Sequence, residues 1–156
     1  MKNIIILIKN GANIHYKNEN ALIDSIRYNR LDIVKVLIEN GSDIHIDNDY
    51  PFFLSISHGF LNISKFLIEK GSNIHSENDR AFRHSANMGC FRRIKFLIEH
   101  GCDLHIDNDI AFINLVFQCN INNIKYLVEK GANIHAENDK AIQIYSYFGK
   151  INLLKY

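Results

Sequence analysis

The chain repeats one short segment every 30 residues, and this period constrains the fold more than any other feature of the sequence. Residues 65–75 read Lys-Phe-Leu-Ile-Glu-Lys-Gly-Ser-Asn-Ile-His, and related segments occupy residues 35–45, 95–105 and 125–135, with a partial copy at 6–15. Glycines and histidines keep one phase throughout, at Gly11, Gly41, Gly71, Gly101 and Gly131 and at His15, His45, His75, His105 and His135. A fixed period of this length is typical of a solenoid, in which each repeat packs on its neighbours.

The first half of each period predicts a short helix that follows a polar turn. In residues 47–76, the turn is the triplet 47–49 (Asp-Asn-Asp), whose side chains can accept hydrogen bonds from the unpaired N–H groups of a following helix. Pro51 suits the first helical turn, where its missing N–H costs nothing. Gly59 marks the end of this helix. The side chains that we expect to be buried are Phe52, Ser55 and Ile56.

The second half of the period predicts another helix, from about Leu61 to a left-handed stop at Gly71. Its inward side chains are predicted to be Leu61, Phe66, Leu67 and Ile68. Lys65 and Glu69 lie on its solvent face, and residues 72–75 then form either a loop or a hairpin. Helices of this length are too short to be stable alone, so we expect their stability to come from stacking of the repeats.

Three segments of the chain resemble the ankyrin repeat. Residues 31–41 (Leu-Asp-Ile-Val-Lys-Val-Leu-Ile-Glu-Asn-Gly) are similar to the second ankyrin helix and its closing glycine, and residues 11–15 (Gly-Ala-Asn-Ile-His) to the family's Gly-Ala-Asp-Val-Asn loop. Pro51 and Phe52 lie where the family has the Pro-Leu pair of its Thr-Pro-Leu-His motif. The resemblance implies an all-α fold, an ankyrin-type solenoid of stacked helix-turn-helix repeats with period 30, and a role as a protein–protein interaction scaffold.

The repeat boundaries follow from this phase. We predict a single repeat domain over residues 1–156, with a half repeat at 1–16, full repeats at 17–46, 47–76, 77–106 and 107–136, and a truncated repeat at 137–156. The period is shorter than the family's usual length of about 33 residues, with the shortage in the turn before the first helix. The Thr-Pro-Leu-His motif is nearly absent. Together with the abundance of Asn, Ile and Lys, these departures resemble the ankyrin repeat proteins of amoeba-infecting giant viruses.

Some positions vary between copies while their neighbours stay constant, as expected of a binding surface on a repeated framework. Tyrosine, arginine and phenylalanine among them suit a protein interface. The alternative is that these positions have drifted without selection. The candidate partner-binding residues are Asn20, Tyr50, Arg80, Ile110 and Lys140, and, near the ends of the first helices, Tyr28, His58, Met88, Gln118 and Phe148.

Composition excludes several other classes of protein. A net charge of +1 provides no bulk attraction to polyanions, and no apolar run approaches the roughly 18 residues of a membrane span. The cysteines, Cys90, Cys102 and Cys119, lack any paired spacing and fit a reducing compartment. We therefore expect an intracellular protein, in the cytoplasm, or in the host cytoplasm if the source is a virus.

Catalytic and metal-binding interpretations find little support in the sequence. Equivalent histidines of stacked repeats lie about 8–10 Å apart, too far to converge on one ion, so the histidines are predicted to be structural. The triplets 47–49 and 107–109 lack the glycine and glutamate of a calcium loop. No phosphate-binding glycine loop or nucleophile with its base is present. We predict a non-enzymatic protein without metal or cofactor.

Two alternatives to the scaffold remain open. The cluster Arg80, Arg83, Arg92 and Arg93 is the only basis for a nucleic-acid-binding module, and acidic residues of the same repeat offset its charge. The other alternative is a fragment of a longer repeat protein. Met1 aligns with Leu31 and Tyr156 with Phe66, so neither terminal repeat has the polar outer face of a cap. We expect the chain to continue in a longer protein or to associate with itself, and residues 150–156 to fray in a monomer.

Overall fold

A computed structural model describes residues 2–118 and 120–153, with side chains for residues 3–118 and 120–147. Helices joined by turns make up this part of the chain, and it contains no strand, so the all-α prediction is confirmed and residues 72–75 form a turn. The helices are α1 (Lys2–Lys9), α2 (Tyr16–Arg27), α3 (Leu31–Glu39), α4 (Ile46–Ser57), α5 (Leu61–Glu69), α6 (Ser76–Asn87), α7 (Phe91–Glu99), α8 (Ile106–Val116), α9 (Ile121–Glu129) and α10 (Ala136–Leu153).

The chain falls into two compact units, Met1–Ala81 and Phe82–Tyr156. In the first unit, α2 packs on α3 and α4, and α5 packs on α4 and α3. In the second unit, α8 packs on α9 and α10. Each unit therefore places first helices of consecutive repeats side by side, with second helices packed on α2, α4 and α8, which is a short solenoid of ankyrin type. The single domain with the repeat boundaries given above stays a prediction.

The second helices end as the sequence predicts. After α5, Gly71 has a φ of +100°, its N–H donates to the Ile68 carbonyl at 2.9 Å, and the Ser72 N–H donates to the Leu67 carbonyl at 3.0 Å. These two bonds define the Schellman motif, which satisfies carbonyls that the end of a helix leaves unpaired. A residue with a Cβ is strained at this φ, so a glycine recurs at each equivalent position.

The buried face of the second helix differs from the prediction. In α5 the buried side chains are Ile63, Ser64 and Leu67, whereas Leu61, Phe66 and Ile68 are only half-buried. The Phe66 ring lies at the edge of the buried face of α5. The ammonium groups of Lys35 and Lys70 lie 5.5 and 5.4 Å from its centroid. The aromatic position therefore shields the edge of the core while contacting cations.

The first helices follow a left-handed turn. Asp47, Asn48 and Asp49 have φ values of 47°, 55° and 58°, and the triplets 17–19, 77–79, 107–109 and 137–139 repeat this conformation. Left-handed helical geometry costs about 1–2 kcal/mol per residue, with asparagine and aspartate tolerating it best. The constant asparagine in the middle of each triplet suits this requirement. Pro51 then lies buried in the first regular turn, as predicted.

No helix in the part of the chain that the structure describes is both long and apolar enough to cross a bilayer.

The two burial classes on α5 give a direct stability prediction. We expect Leu67→Ala to lower the free energy of unfolding by about 2–5 kcal/mol, because the side chain is completely buried. Phe66→Ala should cost clearly less, since that ring is only partly buried. Lys65→Ala on the exposed face serves as the control and should stay within about 0.5 kcal/mol. Urea titrations that give equal losses at positions 66 and 67 would contradict the observed face.

Candidate functional site

Each recurring histidine faces a carboxylate four residues further along the chain. The pairs, here called turn pairs, are His15–Glu19, His45–Asp49, His75–Asp79, His105–Asp109 and His135–Asp139. Nδ1 of His45 lies 3.0 Å from Asp49 Oδ1, and Nδ1 of His105 lies 3.1 Å from each oxygen of Asp109. The rings are exposed, whereas the carboxylates of Asp49 and Asp109 are buried. The histidines thus anchor the left-handed turns.

The buried carboxylate of a turn pair also binds the backbone at the start of the next turn. In the first unit, Asp49 Oδ1 accepts the backbone N–H of Asn73 at 2.9 Å. In the second unit, Asp109 Oδ1 accepts the backbone N–H of Asn133 at 3.0 Å. One carboxylate therefore joins the histidine of its own turn, which ends the preceding repeat, to the backbone at the start of the next turn.

This arrangement corrects the helix-capping role predicted for the triplet 47–49. The left-handed turn brings residue 49 back over residue 45, with the Asp49 N–H donating to the His45 carbonyl at 3.2 Å. The Asp49 side chain is thereby directed toward His45 and toward the backbone at the start of the next turn. Two further bonds link the turns of the first unit. The Asn18 amide donates to Asp47 at 3.3 Å, and the Ser76 hydroxyl donates to the Asn48 carbonyl at 2.6 Å.

In one turn pair, the carboxylate shifts the pKa of the histidine. The hydrogen bond with Asp109, together with the charge of that carboxylate, raises the pKa of His105 above its ordinary value. Asp103 adds a smaller effect in the same direction. Protonated His105 is therefore favoured in the folded protein, because its neighbours supply negative charge.

The variable positions of the first unit form a cluster beside the turn pairs. The Arg80 guanidinium lies over the Phe53 ring, 3.9 Å from its centroid, and donates to Glu77 at 2.6 Å. The Tyr50 ring lies 6.2 Å from that of Phe53, at an interplanar angle of 36°. We call Tyr50, Phe53 and Arg80 the aromatic–arginine cluster. All three side chains are half-buried, so each keeps part of its surface open to solvent.

The remaining predicted positions of the first unit do not belong to the aromatic–arginine cluster. Asn20 is exposed, and the Tyr28 side chain is 77% exposed. His58 is also exposed, but its ring serves the end of α4. Its Nδ1 lies 3.0 Å from the Leu54 carbonyl, and the ring stacks on Phe60 with centroids 5.5 Å apart.

In the second unit, the predicted positions have mixed surroundings. Ile110 and Lys140 are half-buried, and Lys140 pairs with Glu137, three residues before it. Met88 is exposed. Gln118 is exposed too, and its side-chain amide donates to the Gly89 carbonyl, a bond that ties it to the preceding turn. The Phe148 side chain lies outside the described residues.

The basic residues behind the nucleic-acid alternative have different environments. Arg80 belongs to the aromatic–arginine cluster, and its charge is partly offset by Glu77. In the second unit, Arg92 is exposed, and Arg83 and Arg93 are half-buried.

Phe53 and the buried carboxylates were not predicted from the sequence to belong to the site. Phe53 follows Tyr50 by three residues on one helix, so i to i+3 spacing from a candidate position would have found it. The equivalent positions are also variable: Ile23, Arg83, Ile113 and Gln143. The carboxylates carried a simpler signal, because an acidic residue follows each recurring histidine at a constant spacing of four.

Comparison with known proteins agrees with this architecture over one repeat. The ankyrin repeat family model matches residues 18–49, which include α3 and parts of α2 and α4. No curated protein matches the chain. The matched segment has the fold of a stacked ankyrin-type repeat, and the same 30-residue pattern continues on both sides of it.

The bridging role of Asp49 can be tested with a matched pair of variants. Asp49→Ala removes the acceptor for His45 and Asn73, whereas Asp47→Ala removes an exposed carboxylate from the same left-handed turn. Both replacements carry a similar backbone penalty, so their difference reports the buried bonds of Asp49 less the long, exposed bond from Asn18 to Asp47. We expect Asp49→Ala to be less stable than Asp47→Ala by about 1.5–3 kcal/mol, the range for hydrogen bonds to charged groups. Indistinguishable thermal and urea unfolding would contradict the bridge.

The raised pKa of His105 predicts a pH-dependent contribution to stability. Its folded pKa lies above the unfolded value near 6.5, so the contribution is complete below that pH and is lost as pH rises through the folded pKa. We expect the stability difference between the parent protein and His105→Gln to be constant at acidic pH and to shrink under basic conditions. A difference that stays flat from acidic to basic pH would contradict the assignment.

Proposed function

We propose that the protein is a non-enzymatic protein–protein interaction scaffold, in which a constant set of turn pairs positions variable side chains for a protein partner. The carboxylate of a turn pair and the variable residue are adjacent in the chain, as in Asp49 and Tyr50 or Asp109 and Ile110. Fixing the carboxylate between two repeats therefore also fixes the backbone from which the variable side chain projects.

The aromatic–arginine cluster is the observation that supports this proposal best. Tyrosine and arginine are enriched among the residues that dominate the energetics of protein interfaces. Here they are partly exposed, and each contacts the same phenylalanine ring. A partner can bury the remaining aromatic surface and still form hydrogen bonds to the guanidinium and the tyrosine hydroxyl.

The cluster is also held in place before any partner binds. Arg80 is restrained by the Phe53 ring below it and by Glu77 beside it. A long side chain that is already ordered loses less conformational entropy on association, which favours binding. The same contacts partly neutralise Arg80, so a protein surface suits this cluster better than the phosphate backbone of a nucleic acid. The resemblance to giant-virus proteins, the cytoplasmic location and the fragment alternative stay predictions.

The experiment compares retention of cellular proteins by three immobilised forms of the chain. The parent protein and the Lys65→Ala control should retain the same proteins, whereas Tyr50→Ala/Arg80→Ala should lose those that bind at the cluster. For a protein so identified, we expect the double variant to weaken binding by at least about tenfold, because each residue belongs to a class that often contributes more than 1 kcal/mol. Circular dichroism melts establish that the double variant remains folded.

Two results would contradict the proposed function. Equal retention by the parent protein and the double variant would move the binding surface away from the cluster. Binding of random-sequence oligonucleotides that is lost in the double variant and weakens steeply with salt would favour the nucleic-acid alternative.

A further inference from the structure

One end of the first unit exposes side chains whose counterparts in internal repeats are buried. Leu7 in α1 is 60% exposed, whereas the equivalent Leu37, Leu67, Leu97 and Leu127 are at most 1% exposed. The internal second helices α3, α5 and α9 pack on the first helix that precedes them in the chain. Ala21 of α2 is likewise exposed, while its counterparts Pro51, Ala81, Ala111 and Ala141 are buried. We call Leu7, Ile6 and Ala21 the entry face.

The last helix of the second unit, α10, exposes side chains whose counterparts in the other first helices are buried. Ile142 in α10 is 69% exposed, although the equivalent Leu22, Phe52, Phe82 and Phe112 are at most 3% exposed. Tyr145 is 49% exposed at the position of the fully buried Ser55, whose hydroxyl bonds Ser64 on the following second helix at 2.7 Å. The helix α10 continues to Leu153 rather than ending where α4 ends. Its first-helix face is therefore not covered by a second helix among the described residues.

A groove of about 400 Å³ borders this face of α10. Phe112 and Val116 from α8, Ile121 and Ile124 from α9, and Ile142 and Tyr145 from α10 line it, and its surface is predominantly apolar. Ile134, in the turn before α10, adds a further exposed apolar side chain. We call this surface the exit face.

The entry face and the exit face are the two halves of one repeat interface. The entry face contains a second helix whose leucine is exposed, and the exit face contains a first helix whose apolar positions are not covered by any second helix among the described residues. We propose that a second copy of this chain completes the interface, with α1 of one copy lying in the exit-face groove of another. Leu7 of one copy then packs on α10 of the other copy, as α5 packs on α4 within one chain. Ala21 allows α2 of the first copy to approach the same α10 closely.

Such a contact is heterologous, because it joins two different surfaces. Each copy keeps one entry face and one exit face, so association does not stop at a dimer unless the assembly closes into a ring. The proposal is independent of the proposed partner-binding function, because the aromatic–arginine cluster belongs to neither face.

The test measures mass against concentration by sedimentation velocity, from about 1 to 500 µM, a range that covers weak protein interfaces. We expect the weight-average mass of the parent protein to rise beyond that of two 18.1 kDa copies. Leu7→Glu and Ile142→Glu should each weaken association by at least about tenfold, because each places a charge where an apolar side chain is buried. Both positions are exposed in the single chain, so thermal melts of the dilute variants should match that of the parent protein.

Mixing the two variants distinguishes this interface from any other. Leu7→Glu retains an intact exit face and Ile142→Glu an intact entry face, so an equimolar mixture should form dimers and nothing larger. Lys65→Glu, which also introduces a negative charge at an exposed position on neither face, should associate like the parent protein.

Three outcomes would overturn the proposal. The first is a parent protein that remains monomeric over the whole range. The second is a mixture of the two variants that stays monomeric while the parent protein associates. The third is a monomer that Ile142→Glu destabilises, which would assign the exit face to the chain's own later residues instead of a second copy.

Discussion

The buried carboxylates of Asp49 and Asp109, each in a left-handed turn, form the interaction on which the stacking of this structure depends. Asp49 illustrates it, since one oxygen accepts hydrogen bonds from the His45 ring and from the Asn73 backbone at the start of the next turn. Asp109 repeats the arrangement with His105 and Asn133. Burying a carboxylate is unfavourable unless hydrogen bonds satisfy it, and here the donors come from two consecutive repeats. The carboxylate therefore stabilises the turn and the stack together.

The left-handed turn explains how a period of 30 residues is accommodated. Its three non-glycine residues carry a conformational cost of about 1–2 kcal/mol each, which the charge-assisted hydrogen bonds of the carboxylate offset. The turn takes the place of a hairpin before the first helix. Because the variable residue follows the carboxylate directly, the same bonds that hold the repeats together also set the position of the candidate binding side chains.

Much of this architecture could be predicted from the sequence, because local chemistry determines it. The helix boundaries follow from apolar spacing and from glycines such as Gly71. Its positive φ costs glycine little, whereas a residue with a Cβ would be strained there. The left-handed triplet could not be predicted, since Asp, Asn and Glu favour several kinds of turn and only contacts with the next turn along the stack select one. The half-burial of Phe66 was also missed, because hydrophobicity alone does not distinguish the centre of a helix face from its edge.

Part of the candidate site could likewise be predicted from the sequence, and part of it depends on the fold. Variation at positions 50 and 80 is visible in the sequence, whereas the contact that joins Tyr50, Phe53 and Arg80 requires two consecutive first helices to lie side by side. The histidines were correctly placed in the turns, but their partners became evident only from the fold. A constant histidine–acid spacing of four residues is the pattern to look for in other short-period repeats.

The most direct test of the account is amide hydrogen exchange at Asn73 and Asn133, measured by NMR. Both residues lie in turns outside the helices, where amides ordinarily exchange quickly. If their N–H groups donate to Asp49 and Asp109, both should be strongly protected, and Asp49→Ala should remove protection at Asn73 while leaving Asn133 protected. Exchange of both amides at the rate of unprotected turn residues in the parent protein would contradict the central role of the buried carboxylate.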